Sequence, residues 1–224
     1  MKQLLTGIGI YILSLCASSA HADVLWFDGS RPVSYQVEGK TAPVVGIALD
    51  MFASDMEMVT GQRAVSTKDA TIHIYELDKN PSAAGKLKRL GVPVGELLQK
   101  IDAFYICVVP QQQTSATSQR TSATSQRTSA TPRQEILIVG ANGRGCAYGI
   151  LEMSRMAGVS PWVWWGDVVP GRREHLAISD SFTSLQAPSV TYRGIFINDE
   201  DWSLRNWSKT NFEPARQMGP ATYK

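Results

Sequence analysis

Residues 135–158 have the sequence EILIVGANGRGCAYGILEMSRMAG, in which a strand pattern passes through glycines into a helix pattern. Residues 136–139 are apolar and mostly β-branched, which predicts a buried strand over residues 135–139. The apolar spacing of residues 144–157 predicts a helix that ends at Gly158. The glycines at positions 140, 143, 145 and 149 do not have the G-x-G-x-x-G spacing of dinucleotide-binding turns. The stretch therefore predicts a tight, closely packed strand-to-helix turn and argues against a nucleotide site.

Strand and helix patterns also alternate toward the N-terminus. Apolar residues at three- and four-residue spacing predict an amphipathic helix over residues 44–59, with Gly61 as its C-cap. A short helix is predicted at 94–100, and strands are predicted at 24–27, 33–37, 70–75 and 103–109. The first two strands flank the turn-forming residues 28–32, which suggests a hairpin-like opening. We therefore expect residues 23–187 to form an α+β domain, a mixed sheet with helices on one face.

Residues 111–134 interrupt this pattern with low-complexity sequence. The unit TSATSQR occupies residues 114–120 and is repeated at 121–127. The segment has no apolar seam for a coiled coil and almost nothing to bury, so it predicts a disordered, solvated loop.

Composition and the first residues bear on compartment and partners. The chain has 22 basic and 20 acidic residues, which gives a net charge of +2 and no field suited to nucleic acid or an anionic membrane. Lys2, the apolar run that follows it and Ala20-His21-Ala22 form the pattern of a signal peptide over residues 1–22. We expect a mature chain that begins at Asp23 and is secreted or periplasmic, without a membrane span.

The remaining cysteines and histidines suggest no metal or cofactor. After cleavage only Cys107 and Cys146 remain, and an oxidising compartment would permit a disulfide, although two small buried side chains are an equal alternative. His73 and His175 have no metal-ligand spacing around them, so we expect no metal and no cofactor.

Residues 161–167, PWVWWGD, contain three of the six tryptophans. Exposed aromatic faces stack on sugar rings, but tryptophans also fill apolar interfaces. We favour an inter-domain seam over a sugar-binding platform for this segment.

A new strand pattern at residues 189–197 ends in the cluster Asn198-Asp199-Glu200-Asp201. Carboxylates this close repel one another unless they face solvent, donors or a polar ligand. Glu200 and Asp201 are equally explained as favourable charges at a helix N-terminus. Asn198 and Asp199 lie nearer the strand end, where a (β/α)₈ barrel holds its substrate, and are the candidate substrate-binding residues.

Three blocks of the sequence resemble glycoside hydrolase family 115, the xylan α-glucuronidases. These blocks are GANGRGCAYGI (140–150), GVSPWVWWGDV (158–168) and YRGIFINDEDW (192–202), and residues 207–223 are also similar. The resemblance implies that residues 23–187 are a glycosidase N-terminal accessory domain and that residues 188–224 begin a truncated catalytic (β/α)₈ barrel. It also implies inverting hydrolysis of the bond between (4-O-methyl-)glucuronic acid and xylose in glucuronoxylan.

Within this resemblance, Asn198 and Asp199 match the Asn-Asp pair that binds sugar after the first barrel strand. The family's catalytic acid would lie beyond Lys224, and residues 193–224 are far fewer than the about 250 of a complete barrel. We therefore expect this chain to be inactive alone. The alternatives are a non-catalytic secreted carbohydrate-binding module or a non-functional fragment of a truncated gene. The α-glucuronidases of family 67 and the hexosaminidases of family 20 share the layout but have different motifs after the first strand.

Overall fold

The computed structural model of the protein describes residues 23–110, 134–163, 166–194 and residue 196. The chain divides into two compact units, residues 1–188 and 189–224. The predicted signal peptide and all but the last residue of the predicted low-complexity loop lie outside the described residues.

The first unit contains strands and helices in alternation. Its strands are β1 (Asp23–Phe27), β2 (Ser34–Glu38), β3 (Val65–Ser66), β4 (Ile72–Glu76), β5 (Phe104–Pro110), β6 (Gln134–Gly140), β7 (Leu176–Ser179) and β8 (Thr183–Gln186). Its helices are α1 (Pro43–Thr60), α2 (Ala84–Arg89), α3 (Val94–Gln99) and α4 (Gly143–Met156), and a single 3₁₀ turn, Pro81–Ala83, precedes α2.

Six of the strands form one mixed sheet in the order β3-β2-β4-β6-β5-β8. Strands β2, β3, β4 and β6 are parallel, whereas β5 runs antiparallel to both β6 and β8. In the central register, Ile72 of β4 lies beside Ile136 of β6, and Ile138 lies beside Ile106 of β5. Strand β6 is buried on both faces over residues 136–140, which is why residues 136–139 form a continuous apolar run.

The predicted hairpin-like opening is wrong. Strand β1 pairs antiparallel with β7 in a separate two-stranded sheet, while β2 pairs in parallel with β3 and β4. Residues 28–32 therefore connect two sheets instead of closing a hairpin. The turn signal was real, but the alternation of a short strand does not specify which strand lies next to it.

Helices α1 and α4 pack together on one face of the six-stranded sheet. Helix α1 buries Val45, Leu49, Phe52, Met56 and Val59 on the side that its apolar spacing predicted. Its C-cap is Gly61, at φ 83°, whose N–H donates to the Glu57 carbonyl at 3.0 Å. These contacts confirm both the predicted helix and its predicted C-cap.

The short helices α2 and α3 cover the opposite face. Leu87 and Leu97 from these helices pack with Tyr75, Leu137 and Val139 of the sheet in a second apolar cluster. The predicted α+β class with a mixed sheet is confirmed, and the prediction of helices on one face describes the two long helices. The second, smaller layer comes from the connection between β4 and β5.

The strand predicted at residues 189–197 falls within the second unit. Residues 189–191 form bends, and residues 192–194 and Phe196 have no regular secondary structure. The rest of the predicted strand lies outside the described residues.

Candidate functional site

The substrate-binding residues predicted from the sequence, Asn198 and Asp199, lie outside the described residues. The same is true of Trp164 and Trp165 in the predicted seam. Trp162 of that segment is 64% exposed, and Val163 packs partly against the larger core. The choice between a seam and a sugar platform thus remains a prediction.

A buried carboxylate lies where β4 ends and helix α1 begins. Glu76 is the last residue of β4 and is fully buried. Its Oε2 accepts a hydrogen bond from the N–H of Ala42, the N-cap residue of α1, at 2.7 Å. Because the Ala42 side chain cannot cap the helix, the carboxylate from a neighbouring strand satisfies one of the free amides of this helix end. Burial raises the pKa of Glu76; the Ala42 amide lowers it, and Asp78 raises it through hydrogen bonding and charge.

The turn between β6 and α4 is closely packed, as predicted. A Cβ on Gly140 would collide with the backbone of Cys146, and one on Gly145 would collide with the Ala103 carbonyl. Helix α4 is capped by Asn142, whose Oδ1 accepts from the Gly145 N–H at 2.9 Å. The glycines therefore allow close contact between backbone segments.

Asp102 fixes this turn from the side. It is fully buried, and its Oδ1 accepts from Asn142 Nδ2 at 3.0 Å and from Arg144 Nε at 3.1 Å. Its Oδ2 lies 3.0 Å from Arg144 Nη2. With this carboxylate and that of Glu76 near the start of α4, a phosphate there would meet like charge, which argues against an anion site.

A cleft, here called the helix cleft, lies beside α1 and α4 and has a volume of about 400 Å³. It is lined by Met51, Asp55, Phe104, Tyr148, Leu151, Glu152, Ser154, Arg155, Val159, Ser160, Pro161, Val163 and Gln186. The lining is mainly apolar, and buried Asp55 and Ser154 are its polar members between the helices. Burial raises the pKa of Asp55, an effect that nearby Ser154 partly offsets. Arg155 donates two 2.7 Å hydrogen bonds to the Glu152 carboxylate, so its charge is already paired at the rim of the helix cleft.

A larger and more polar groove, here called the amino-end groove, lies at the amino ends of β2, β4 and β6. Its volume is about 730 Å³. It is lined by Val24, Leu25, Trp26, Phe27, Asp28, Arg31, Pro32, Ser34, Val65, Thr67, Lys68, Asp69, Thr71 and Gln134. Nothing in the sequence pattern singled out these residues, because they come from separate loops that only the sheet brings together.

Polar side chains on the sheet face below α2 form hydrogen bonds within the protein. His73 Nδ1 lies 2.8 Å from Glu38 Oε1, and His73 Nε2 lies 3.0 Å from the Ala70 carbonyl. Lys86 Nζ lies 2.9 Å from the Tyr75 hydroxyl. Within the described part of the chain, no group of three or more His, Cys, Asp or Glu side chains is arranged to hold a metal. We interpret this cluster as structural.

Cys107 and Cys146 are free and buried. Cys146 belongs to the apolar cluster on the α1/α4 face, and Cys107 belongs to the cluster on the other face. The six-stranded sheet thus separates them, and of the two alternatives the structure supports small buried side chains. Burial raises the pKa of each thiol to about 12. Neither is suited to nucleophilic chemistry, which requires the thiolate.

No helix among the described residues has the length and apolar character that a membrane span requires. No curated protein sequence matches the chain. Residues 185–224 match the family model of glycosyl hydrolase family 115. These residues include Asn198 and Asp199.

The structure is similar to a solved structure of BtGH115A, described as a family GH115 4-O-methyl-alpha-glucuronidase with specificity for decorated arabinogalactans. The two share 33% sequence identity with a TM-score of 0.67, over 89% of this chain. The chain spans 23% of the length of that relative. The family model matches the end of the chain and the structural match extends over most of it, so both comparisons relate the chain to glycosyl hydrolase family 115.

Proposed function

We propose that the chain is the N-terminal part of a secreted glycoside hydrolase that removes (4-O-methyl-)glucuronic acid from a plant polysaccharide by inverting hydrolysis. The observation that carries this proposal is the structural match to a 4-O-methyl-alpha-glucuronidase at 33% identity over 89% of the chain. Fold alone does not specify function, but identity at this level, together with a family-model match, supports a shared chemistry.

Asn198 and Asp199 are proposed to bind the substrate. Both fall within residues 185–224, the region that the family model matches. An amide and a carboxylate side by side can donate to and accept from adjacent sugar hydroxyls, which positions the glycosidic bond. Inversion then requires an acid that protonates the leaving oxygen and a base, about 6.5–9.5 Å away, that activates a water. We propose that these two groups belong to a longer chain, so that the 224 residues alone are inactive.

The polysaccharide is proposed to be glucuronoxylan, as the sequence resemblance implies. A second candidate is an arabinogalactan that carries glucuronic acid, because BtGH115A is specific for decorated arabinogalactans. Both substrates carry the same uronic acid on different polysaccharide backbones. They therefore differ in the leaving group, which is the backbone sugar, and not in the glucuronic acid that is released.

The proposal is tested with a longer chain that continues past residue 224 and supplies the remaining barrel strands. Release of glucuronic acid is measured from glucuronoxylan and from glucuronic-acid-decorated arabinogalactan. We expect release from at least one substrate by the longer chain and none by the 224-residue chain. Asp199→Ala should lower kcat/KM at least about a hundredfold, as loss of a positioning contact does.

Asp50→Ala is the matched control, because Asp50 is an exposed carboxylate whose 2.9 Å ion pair with Arg63 lies on the surface of the first unit. That variant should retain full activity. Undiminished activity of Asp199→Ala would remove Asp199 from the site, and no release from either polysaccharide would refute the proposed reaction.

The remaining alternative is that the 224 residues are themselves the product, a secreted module that binds carbohydrate without hydrolysing it, or a non-functional fragment. DNA sequence beyond the codon for Lys224 distinguishes these possibilities. An in-frame continuation that encodes barrel strands supports the enzyme, and a stop codon supports the module or the fragment. Cleavage before Asp23 in exported protein, measured by mass spectrometry, would support the proposed secretion.

A further inference from the structure

We propose that the amino-end groove is a second, non-catalytic binding site for a neutral oligosaccharide. Its volume of about 730 Å³ lies within the range of about 300–1,000 Å³ that is usual for small-molecule sites. The groove lies entirely within the first unit and uses neither Asn198 nor Asp199. The inference therefore goes beyond the proposed hydrolysis and can fail or succeed independently of it.

Hydrogen bonds hold the two loops that border the groove. The backbone N–H of Thr71 donates to Ser34 Oγ at 3.1 Å, and the N–H of Thr67 donates to the Tyr35 carbonyl at 3.0 Å. On the other wall, Gln62 Nε2 donates to the Gly29 carbonyl at 3.3 Å. The loop at residues 67–71 is thus tied to β2, and the loop at residues 28–32 is tied to the residue that follows the C-cap of α1. These bonds reduce the ordering cost of binding a ligand in the groove.

Three charged side chains of the groove have no partner among the described residues. Arg31, Lys68 and Asp69 are exposed, and they make no ion pair or side-chain hydrogen bond with the residues that the structure describes. The fourth charge, Asp28, is oriented by Ser30, whose N–H and hydroxyl donate to Asp28 Oδ1 at 2.9 and 2.7 Å. These hydrogen bonds lower the pKa of Asp28, so this carboxylate stays ionised and can accept further donors.

This combination of groups matches the chemistry of a neutral sugar chain. Each sugar hydroxyl can both donate and accept, so it can use the carboxylates of Asp28 and Asp69 as well as the cations of Arg31 and Lys68. Two acids and two bases give the groove no net charge, which favours a neutral ligand over a uronic acid. Exposed Leu25 and Val65 add apolar surface for the C–H faces of the rings.

The test is isothermal titration of the full 224-residue chain with two neutral probes, xylotetraose and a β-1,3-linked galactotetraose. We expect at least one probe to bind, with an affinity that changes little between about 0.05 and 0.5 M NaCl because the ligand is uncharged. Arg31→Ala and Lys68→Ala should each weaken binding about tenfold, the effect of losing one charge-assisted hydrogen bond. Thermal unfolding should be unchanged in both variants, since both side chains are exposed and have no partner in the part of the chain that the structure describes.

Lys100→Ala is the matched control, because Lys100 is an exposed lysine outside the groove that pairs with Glu96 at 2.9 Å. It should bind the probes like the wild type. Failure of both neutral probes to bind would overturn the proposal, and so would wild-type affinity in the Arg31→Ala, Lys68→Ala double variant. Either result would leave the release of glucuronic acid by a longer chain untouched, so the two proposals are tested separately.

Discussion

Removing the Asp102 carboxylate should destabilise the first unit more than any surface substitution. Asp102 is fully buried and accepts one hydrogen bond from Arg144 and one from Asn142, the residue that caps α4, and its Oδ2 forms a 3.0 Å ion pair with Arg144 Nη2. Its backbone also has φ 52°, a left-handed conformation that Asp, Asn and Gly tolerate better than Ala. Asp102→Ala therefore removes a hydrogen-bond hub and strains the backbone at the same position.

The magnitude follows from these contacts. A hydrogen bond to a charged group contributes about 1.5–3 kcal/mol, but Arg144 is half exposed and can bind water instead, so its share is at the lower end. Adding about 1 kcal/mol for the left-handed alanine gives a loss of about 3–5 kcal/mol in the free energy of unfolding. Asp102→Asn keeps the shape and the backbone preference and should lose about 2 kcal/mol. Asp102→Gly should be more stable than Asp102→Ala, because glycine adopts φ 52° without strain.

The assay is urea unfolding followed by circular dichroism at neutral pH. Asp69→Asn is the control, because this exposed carboxylate has no partner among the described residues and should change stability by less than about 0.5 kcal/mol. The reasoning would be refuted if Asp102→Ala lost less than about 1 kcal/mol, or if Asp102→Asn matched the wild type.

Two further predictions concern buried titratable groups. Burial raises the pKa of Glu76 above its ordinary 4.5, so the native state keeps this proton to higher pH than the unfolded chain, and stability should fall as pH rises from about 4.5 through the native pKa. Glu76→Gln keeps an acceptor for the Ala42 amide and cannot ionise. In urea unfolding from about pH 4.5 to 7.5, the free energy of unfolding of this variant should therefore depend less on pH than that of the wild type. An equal pH dependence in the two proteins would contradict this prediction. Burial raises the thiol pKa values of Cys107 and Cys146 to about 12, so a native chain that begins at Asp23 should not react with a disulfide reagent at about pH 8. The unfolded chain should react at both thiols and release two equivalents of the reagent's leaving group. Rapid labelling of the native chain would contradict this prediction, because it would show that one thiol is accessible.

Local sequence patterns predicted the elements whose signal is local. The apolar spacing of α1, its glycine C-cap, and the strand–glycine–helix pattern of β6 and α4 all appear in the structure where the sequence placed them. These features depend on residues within one or two turns of each other, where periodicity and backbone preference determine the outcome. The short strands β3, β7 and β8 were not predicted, because two to four residues do not establish a period.

Contacts between distant residues could not be predicted in the same way. Glu76 caps α1 at Ala42, 34 residues earlier in the chain, and Asp102 holds Arg144, 42 residues later. Neither carboxylate lies in a motif, and each has its role only because the sheet places it beside a helix start. The partner of β2 was missed for the same reason. The predicted Asn198 and Asp199 site rests on the family resemblance and stays a prediction.

In this chain, the position of a charged residue relative to the sheet distinguishes a structural role from a binding role. Glu76 and Asp102, near the carboxyl end of the sheet, are buried and bonded to helix starts, so their role in the fold accounts for them. At the amino end, Arg31, Lys68 and Asp69 contribute nothing comparable, since they are exposed and unpaired among the described residues. Charged side chains that line a groove without stabilising the fold remain available to a ligand. This difference is why the binding proposal rests on the amino-end groove, although the carboxyl ends of parallel strands are the usual place for a site.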